Sequence, residues 1–136
     1  MKIKLNSLLM MFLTTVTLWS QNVTDSLLLQ LKQTTSDTLK INLYIELGNN
    51  LSYEKPEKAI IYYNQSIQIA KKHKNPNFIG KSYKAIGSFF YEKSDYEEAL
   101  SNFKLAQIYF EKASNQRESG RAYMNIGNVY LSQNID

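Results

Sequence analysis

The chain has 136 residues, 43% of them hydrophobic and 12% aromatic, which is sufficient for one domain with a packed core. It has no cysteine and one histidine, which excludes disulfides, thiol chemistry and any metal site or nucleophile–base pair built from two such residues. Leaving out Lys2 and Lys4 reduces the 16 basic residues to 14 against 12 acidic ones, and this dispersed net charge of +2 does not indicate nucleic-acid binding.

The N-terminus has the features of an export signal. Lys2 and Lys4 precede the apolar segment 8–19, which is too short for a membrane span of about 18–20 apolar residues. We therefore assign residues 1–21 to a signal peptide and expect an exported, periplasmic or extracytoplasmic protein. An uncleaved anchor and a core helix are the alternatives, and no cysteine follows the segment to carry a lipid.

Residues 22–36 are predicted to form a short capping helix followed by a turn. Thr24 or Asp25 is suited to the N-cap, because a short oxygen-bearing side chain accepts a hydrogen bond from the free N–H groups of the first turn. We expect the helix to cover the helices that follow with one apolar face, formed by Leu27, Leu28 and Leu31.

Five longer helices are predicted downstream. Ser36 or Asp37 is expected to cap the first, and Pro56 suits the first position of the second, where no N–H is needed. Asn115 followed by Glu118 resembles a capping box. We expect the helices to end near residues 53, 74, 93, 113 and 132.

The segment 80–112 recurs with a period near 40 residues, which is typical of a stacked repeat array. Gly80 and Gly87 fall on Gly120 and Gly127, and an earlier copy places Gly48 in the register of Gly87. Glycine inside a helix costs about 1 kcal/mol relative to alanine. The register of Gly48, Gly87 and Gly127 therefore predicts a close helix–helix crossing at each.

The repeat resembles the tetratricopeptide repeat in its order of aromatic, small and branched residues. The resemblance covers residues 39–136, although the period exceeds the usual ~34 residues, Ser66 replaces an alanine of the first copy, and Glu111 stands near the usual closing proline. The residues that carry it are Tyr83, Ile86, Gly87, Phe90, Ala99, Phe103 and Ala106.

This resemblance implies an all-α fold, a right-handed superhelical array of antiparallel helix pairs. About two and a half repeats are expected after the capping helix, at residues 37–75, 76–114 and 115–136, the last incomplete. The apolar stripe of Tyr123, Ile126, Val129 and Tyr130 would lack its partner helix. We therefore expect a fragment of a longer protein or a partner at this end, which includes a homodimer formed through this stripe.

No catalytic, cofactor or metal site is predicted, and we do not expect an enzyme. His73 lies in a basic run at a predicted helix end, where a solvated cation complements the helix dipole. Asp95, Glu97 and Glu98 have the same explanation at a helix start.

The resemblance implies a concave groove, lined by the first helix of each repeat, that binds a peptide or a protein. Asn49 and Arg121 match the family's carboxylate clamp, whereas Ile45 and Ala85 depart from it. The candidate residues are Asn42, Ile45, Asn49, Lys81, Lys84, Ser88, Tyr91, Arg121, Met124, Asn125 and Asn128.

The resemblance also extends to the N-terminal extracytoplasmic region of bacterial sensor and regulator proteins. It implies a protein-binding part of a histidine kinase or transcriptional regulator, with a free periplasmic or secreted adaptor or assembly factor as the alternative. The expected partner is a protein or peptide and not a nucleic acid. A membrane would be involved only through the signal or anchor, or through a downstream span.

Overall fold

The structure, a computed structural model, describes residues 23–134. This part of the chain is all-helical, as predicted, and contains no β-strand. The predicted signal peptide lies outside the described residues. Among helices of residues 23–134, none combines the length and the hydropathy that a membrane crossing requires. The helices are α1 (residues 23–33), α2 (Asp37–Leu51), α3 (Pro56–Lys72), α4 (Pro76–Glu92), α5 (Tyr96–Lys112) and α6 (Gln116–Gln133).

The starts of α3 to α6 are spaced by 20 residues, so each 40-residue period contains two helices. The cause is local. Pro56 and Pro76 stand in the first turns of α3 and α4, and side-chain oxygens of Asn75, Asp95 and Asn115 accept the N–H three residues later. The caps predicted at Ser36 and Asn115 and the first-turn position of Pro56 are confirmed.

The three connections between α3 and α6 share one backbone conformation. Each contains a non-glycine residue in the left-handed region: Lys74, Ser94 and Ser114, with φ of 50°, 60° and 53°. The N–H of each donates to a carbonyl of the preceding helix end, at 2.9–3.0 Å. This turn reverses the chain within a few residues, so consecutive helices pack closely.

Consecutive helices run antiparallel. Ile41, early in α2, shares a core cluster with Ala70, late in α3, and Leu51, at the end of α2, shares one with Ala59, early in α3. Equivalent pairings recur between α4 and α5 and between α5 and α6.

Alternate helices lie side by side and run in the same direction. At the start of α4 and α6, Asn115 Nδ2 donates to Asn77 Oδ1 at 2.7 Å, and near their ends the hydroxyls of Tyr91 and Ser132 lie 2.9 Å apart. α2 contacts α4 as well. α2, α4 and α6 therefore form one layer, and α3 and α5 form the other.

The predicted apolar face of α1 packs as expected, with Leu27 buried against Leu43 and Leu47 of α2. The predicted caps are wrong, because residue 23 is already helical and Thr24 and Asp25 lie inside α1. The Thr24 hydroxyl instead accepts a hydrogen bond from Asn50 Nδ2 of α2 at 2.6 Å. The Thr24 side chain thus links α1 to α2 and does not cap the N-terminus of α1.

The predicted crossings at Gly48 and Gly87 are confirmed. A Cβ at Gly48 would overlap the Tyr63 ring, and one at Gly87 would lie 2.6 Å from Phe103 Cδ1. The crossing predicted at Gly127 is wrong for the described residues, where no atom outside its own helix neighbourhood comes within 4 Å of its Cβ position. The described chain has no helix with an aromatic ring over that face of α6. The predicted uncovered stripe is wrong for Ile126 and Val129, which pack against Ala99 and Phe103 of α5.

Candidate ligand-binding groove

The layer of α2, α4 and α6 carries a depression of about 710 Å³ between α2 and α4. Its lining includes the apolar side chains of Ile45 and Ala85, and Glu46 and Glu92 add negative charge. The predicted residues that line it are Asn42, Ile45, Asn49, Lys81, Lys84 and Ser88.

A second depression, of about 230 Å³, lies between α4 and α6. It shares Lys84 and Ser88 with the first, so the two adjoin and form one continuous surface, here called the polar groove. The predicted residues that complete it are Arg121, Met124, Asn125 and Asn128.

Helical periodicity explains why these side chains converge. Asn42 and Asn49 are seven residues apart on α2, and Lys81, Lys84 and Ser88 follow a three-and-four spacing on α4, so each set lies on one face of its helix. Because the three helices run in the same direction, the faces adjoin.

Tyr91 is the predicted groove residue that does not line either depression. Its ring packs against Tyr96, with centroids 5.9 Å apart, and its hydroxyl bonds Ser132. The placement predicted from the repeat pattern is therefore wrong here, because the ring is used to hold α4 against α5 and α6.

Glu118 is the charged centre of the groove and was not predicted as part of it. The residue is only 6% exposed, and its two carboxylate oxygens accept from Lys84 Nζ at 2.5 Å and from Arg121 Nη1 at 2.6 Å. The hydrogen bond from Lys84, aided by Arg121, holds the pKa of Glu118 below its usual value although burial opposes this. One carboxylate thus orients two cations, one from each side of the α4/α6 depression.

The sequence predicted a different role for the Glu118 side chain, as the second residue of a capping box with Asn115. Glu118 N–H does donate to Asn115 Oδ1, at 3.2 Å, but the Glu118 side chain does not return to Asn115, whose own N–H is taken by the Phe110 carbonyl at 2.9 Å. The available indication was Arg121, three residues after Glu118, which suits an ion pair on one helix face. The partner on α4 follows only from the packing.

Asn49 is held in place by the core. The Tyr63 hydroxyl donates to Asn49 Oδ1 at 2.8 Å, and the tyrosine is 1% exposed. Burial, and to a lesser degree the Glu92 carboxylate, raises the pKa of Tyr63, so the hydroxyl stays a donor. The carbonyl end of this groove amide is therefore committed to the fold.

His73 lies away from the groove, at the C-cap of α3, where its Nε2 contacts an oxygen of Asp37 at the start of α2. Residues 23–134 contain no group of three or more histidine, cysteine, aspartate or glutamate side chains placed to hold a metal ion. The groove offers amide, hydroxyl, ammonium, guanidinium and carboxylate groups, which together can donate to and accept from the polar groups of a peptide.

No protein-family model matches this chain, and neither a curated protein nor a solved structure shows significant similarity to it. The tetratricopeptide resemblance stays a prediction from the residues.

Proposed function

We propose that this chain is a non-catalytic helical-repeat scaffold that binds an extended segment of a peptide or protein in the polar groove. One observation carries the proposal. Polar side chains of α2, α4 and α6 form one continuous surface over two adjoining depressions.

The chemistry of this surface favours a peptide backbone, since the three cations of the lining are balanced by the carboxylates of Glu46, Glu92 and Glu118. Asparagine amides donate to and accept from peptide groups, and Lys84 and Arg121 are held in fixed positions by Glu118. Fixed donors lower the ordering cost of binding. Recognition of a terminal carboxylate is a weaker candidate, because Ile45 and Ala85 replace polar residues of the family's clamp.

We further propose that the helix pairs belong to a right-handed tetratricopeptide-like solenoid. The 20-residue spacing of helix starts and the two layers support this. We also propose that the protein is exported, as the interaction part of a signalling protein or as a free adaptor. The basic and apolar N-terminus supports export. A fusion of residues 1–36 to alkaline phosphatase should be active in a bacterial periplasm, and an inactive fusion would contradict export.

The groove is tested by selecting phage-displayed random peptides on the full chain and measuring the binding of enriched peptides by fluorescence anisotropy. Ser88→Arg should block both depressions, because Ser88 lines each of them. The matched control is Ser101→Arg, at an exposed position on α5. We expect at least a roughly tenfold loss of affinity for Ser88→Arg, about 1.4 kcal/mol, and little change for the control.

Two outcomes would reject the proposal. One is a selection that enriches no peptide. The other is an enriched peptide that binds Ser88→Arg as tightly as the unsubstituted chain, when circular dichroism shows that both are equally helical.

A further inference from the structure

α6 carries the same pattern of glycines and aromatic residues that α4 presents to α5, but no described side chain packs against the glycines of α6. A Cβ at Gly80 would lie 2.8 Å from the Phe110 ring, and one at Gly87 would lie 2.6 Å from the Phe103 ring. The residues 40 positions later are Gly120 and Gly127. No described atom outside their own helix neighbourhood lies within 4 Å of a Cβ at either.

Two large side chains share this face. Tyr123 and Tyr130 are 55% and 46% exposed, and spacings of three, four and three residues place Gly120, Tyr123, Gly127 and Tyr130 on one stripe of α6. A depression of about 490 Å³ adjoins Gly120 and Tyr123. This set of four residues is here called the α6 stripe.

Small and large residues alternate along the α6 stripe, which makes it complementary to itself. In an antiparallel pair of α6 helices, Tyr123 faces Gly127 of the second copy while Tyr130 faces Gly120. By the same register, Gly127 of the first copy faces Tyr123 of the second, and Gly120 of the first faces Tyr130 of the second. One twofold axis therefore makes all four contacts.

The packing of α4 against α5 shows that this alternation is a working interface in this chain. There the rings of Phe103 and Phe110 cover Gly87 and Gly80. In the other direction, Tyr83 packs in a cluster with Ala106, and Phe90 in one with Ala99. Each helix supplies rings to the small positions of the other, as two α6 stripes would.

A second similarity within the chain indicates that the ring covering Gly127 is that of a tyrosine. Where asparagine follows the glycine, at Gly48 and Asn49, the covering ring is Tyr63, and its hydroxyl donates to the asparagine at 2.8 Å. Gly127 is likewise followed by an asparagine, Asn128. The Tyr123 hydroxyl, which now donates to Glu111 Oε1 at 3.0 Å, would exchange that acceptor for Asn128 of the second copy.

We propose that two copies of this chain form a homodimer through antiparallel α6 stripes, with Tyr123 over Gly127 and Tyr130 over Gly120. Exposed Met124 and Leu131 flank the stripe and add apolar area. One helix pair is a small interface, so we expect dissociation in the micromolar range, about 10⁻⁶ to 10⁻⁴ M. Met124 and Asn128 also line the α4/α6 depression, so the dimer and a bound peptide would share that edge of the groove, but the dimer does not require that a peptide binds.

Sedimentation of the full chain over about 1 to 300 µM tests the dimer, in a range that brackets the expected dissociation constant. The mass should rise toward twice the 15.8 kDa of one chain. In NMR spectra, dilution should shift the amide signals of Gly120 and Gly127 and leave those of Gly48, Gly80 and Gly87 in place, because the latter are covered within one chain.

A size swap tests the register. Gly127→Leu fills the small position and Tyr123→Ala removes the ring, so each variant alone should sediment as a monomer. Both should remain helical, because Gly127 is uncovered and Tyr123 is more than half exposed, with surface hydrogen bonds only. Mixed in equal amounts they should associate, since Leu at 127 then faces Ala at 123 and the other Tyr123–Gly127 contact is intact. Gln68→Leu, on exposed α3 surface, should dimerise like the unsubstituted chain.

The proposal is overturned if the unsubstituted chain stays monomeric over the whole range, if Gly127→Leu dimerises undiminished, or if the mixture of variants stays monomeric. Binding of some other helix to the α6 stripe of a monomeric chain would also overturn it.

Discussion

The ring of Phe103 in α5 rests on the backbone of Gly87 in α4, so close that a Cβ atom at residue 87 would lie 2.6 Å from Cδ1 of the ring. Phe103 is 2% exposed and packs with Ala99 and Val129, so it joins α4, α5 and α6. A Cβ at residue 87 would therefore force the buried ring or the α4 backbone to shift.

Gly87→Ala is therefore expected to destabilise the chain. Overpacking a core costs about 1–3 kcal/mol, and the better helix propensity of alanine returns about 1 kcal/mol. The net loss should be up to about 2 kcal/mol, measured as the free energy of unfolding in urea. Gly48→Ala should behave alike, because the Tyr63 ring lies against Gly48 in the same way.

The chain supplies the matched control in α6. Gly127→Ala meets no described atom within 4 Å outside its helix neighbourhood, so only the propensity term remains and stability should rise by up to about 1 kcal/mol. The measurement is made in dilute solution to avoid self-association. Equal effects at residues 87 and 127 would contradict the packing argument.

The glycine register shows what the sequence could predict of the fold. Small and aromatic residues at a 40-residue period predicted helix pairs and close crossings, because both depend on spacing along one helix. The glycine pattern alone predicted a crossing at Gly127, because it gives what a helix face requires and not whether another helix lies on it. The expectation that the stripe from Tyr123 to Tyr130 lacks its partner helix agrees with the uncovered Gly127 of the described chain, although Ile126 and Val129 pack against α5.

A second prediction concerns Glu118 and pH. Glu118→Gln should lower stability at neutral pH by about 1–3 kcal/mol, because a buried charged hydrogen bond to Lys84 is lost. The pKa of Glu118 is lowered in the folded chain, so its contribution is fully present above the ordinary value of 4.5 and is lost as the pH falls through the depressed folded value. Unfolding midpoints at about pH 3 to 7 should therefore converge for the two chains on the acid side.

Glu54→Gln is the control for this titration. Glu54 is an exposed residue in the connection between α2 and α3, and surface substitutions of this kind usually stay within about 0.5 kcal/mol. A constant difference between the unsubstituted chain and Glu118→Gln over the whole pH range would show that the carboxylate charge is not what stabilises the α4/α6 contact.

The groove shows the limit of sequence reasoning at the site. Asn42, Lys84 and Asn128 could be assigned to one surface because helical spacing and the repeat period fix which way each face points. Glu118 could not, because its partner Lys84 is 34 residues away and the contact depends on the distance between α4 and α6. The sequence around Glu118 predicted that its side chain caps α6, whereas in the packed structure its carboxylate binds Lys84 and Arg121.

A third prediction concerns the two hydroxyls buried between α3 and α4. Ser66 Oγ lies 2.8 Å from Ser82 Oγ and 2.7 Å from the Tyr63 carbonyl, and both serines are fully buried. The residues 40 positions later, Ala106 and Ala122, are buried alanines of the next interface. Ser66 departs from the repeat, and the physical reason is that Ser82, its hydrogen-bond partner, departs together with it.

A double-mutant cycle should show this coupling. Ser66→Ala and Ser82→Ala should each cost about 0.5–1.5 kcal/mol, because each removes one partner of a buried hydrogen bond. The double variant reproduces the alanine pair of the next interface and should cost less than the sum, with a coupling of about 0.5–1.5 kcal/mol in urea unfolding. Strict additivity would mean that the two hydroxyls do not interact.

A fourth prediction concerns the left-handed turn at Ser94, between α4 and α5, where φ is 60°. This conformation costs a residue with a Cβ about 1–2 kcal/mol, and glycine avoids that cost while losing part of the gain to its greater freedom in the unfolded chain. Ser94→Gly should therefore raise the free energy of unfolding by about 0.5–1 kcal/mol. Ser101→Gly, in the exposed interior of α5, should lower it by a similar amount. The two substitutions are chemically identical, so a loss of stability at both positions would contradict the left-handed turn that sets the spacing of α4 and α5.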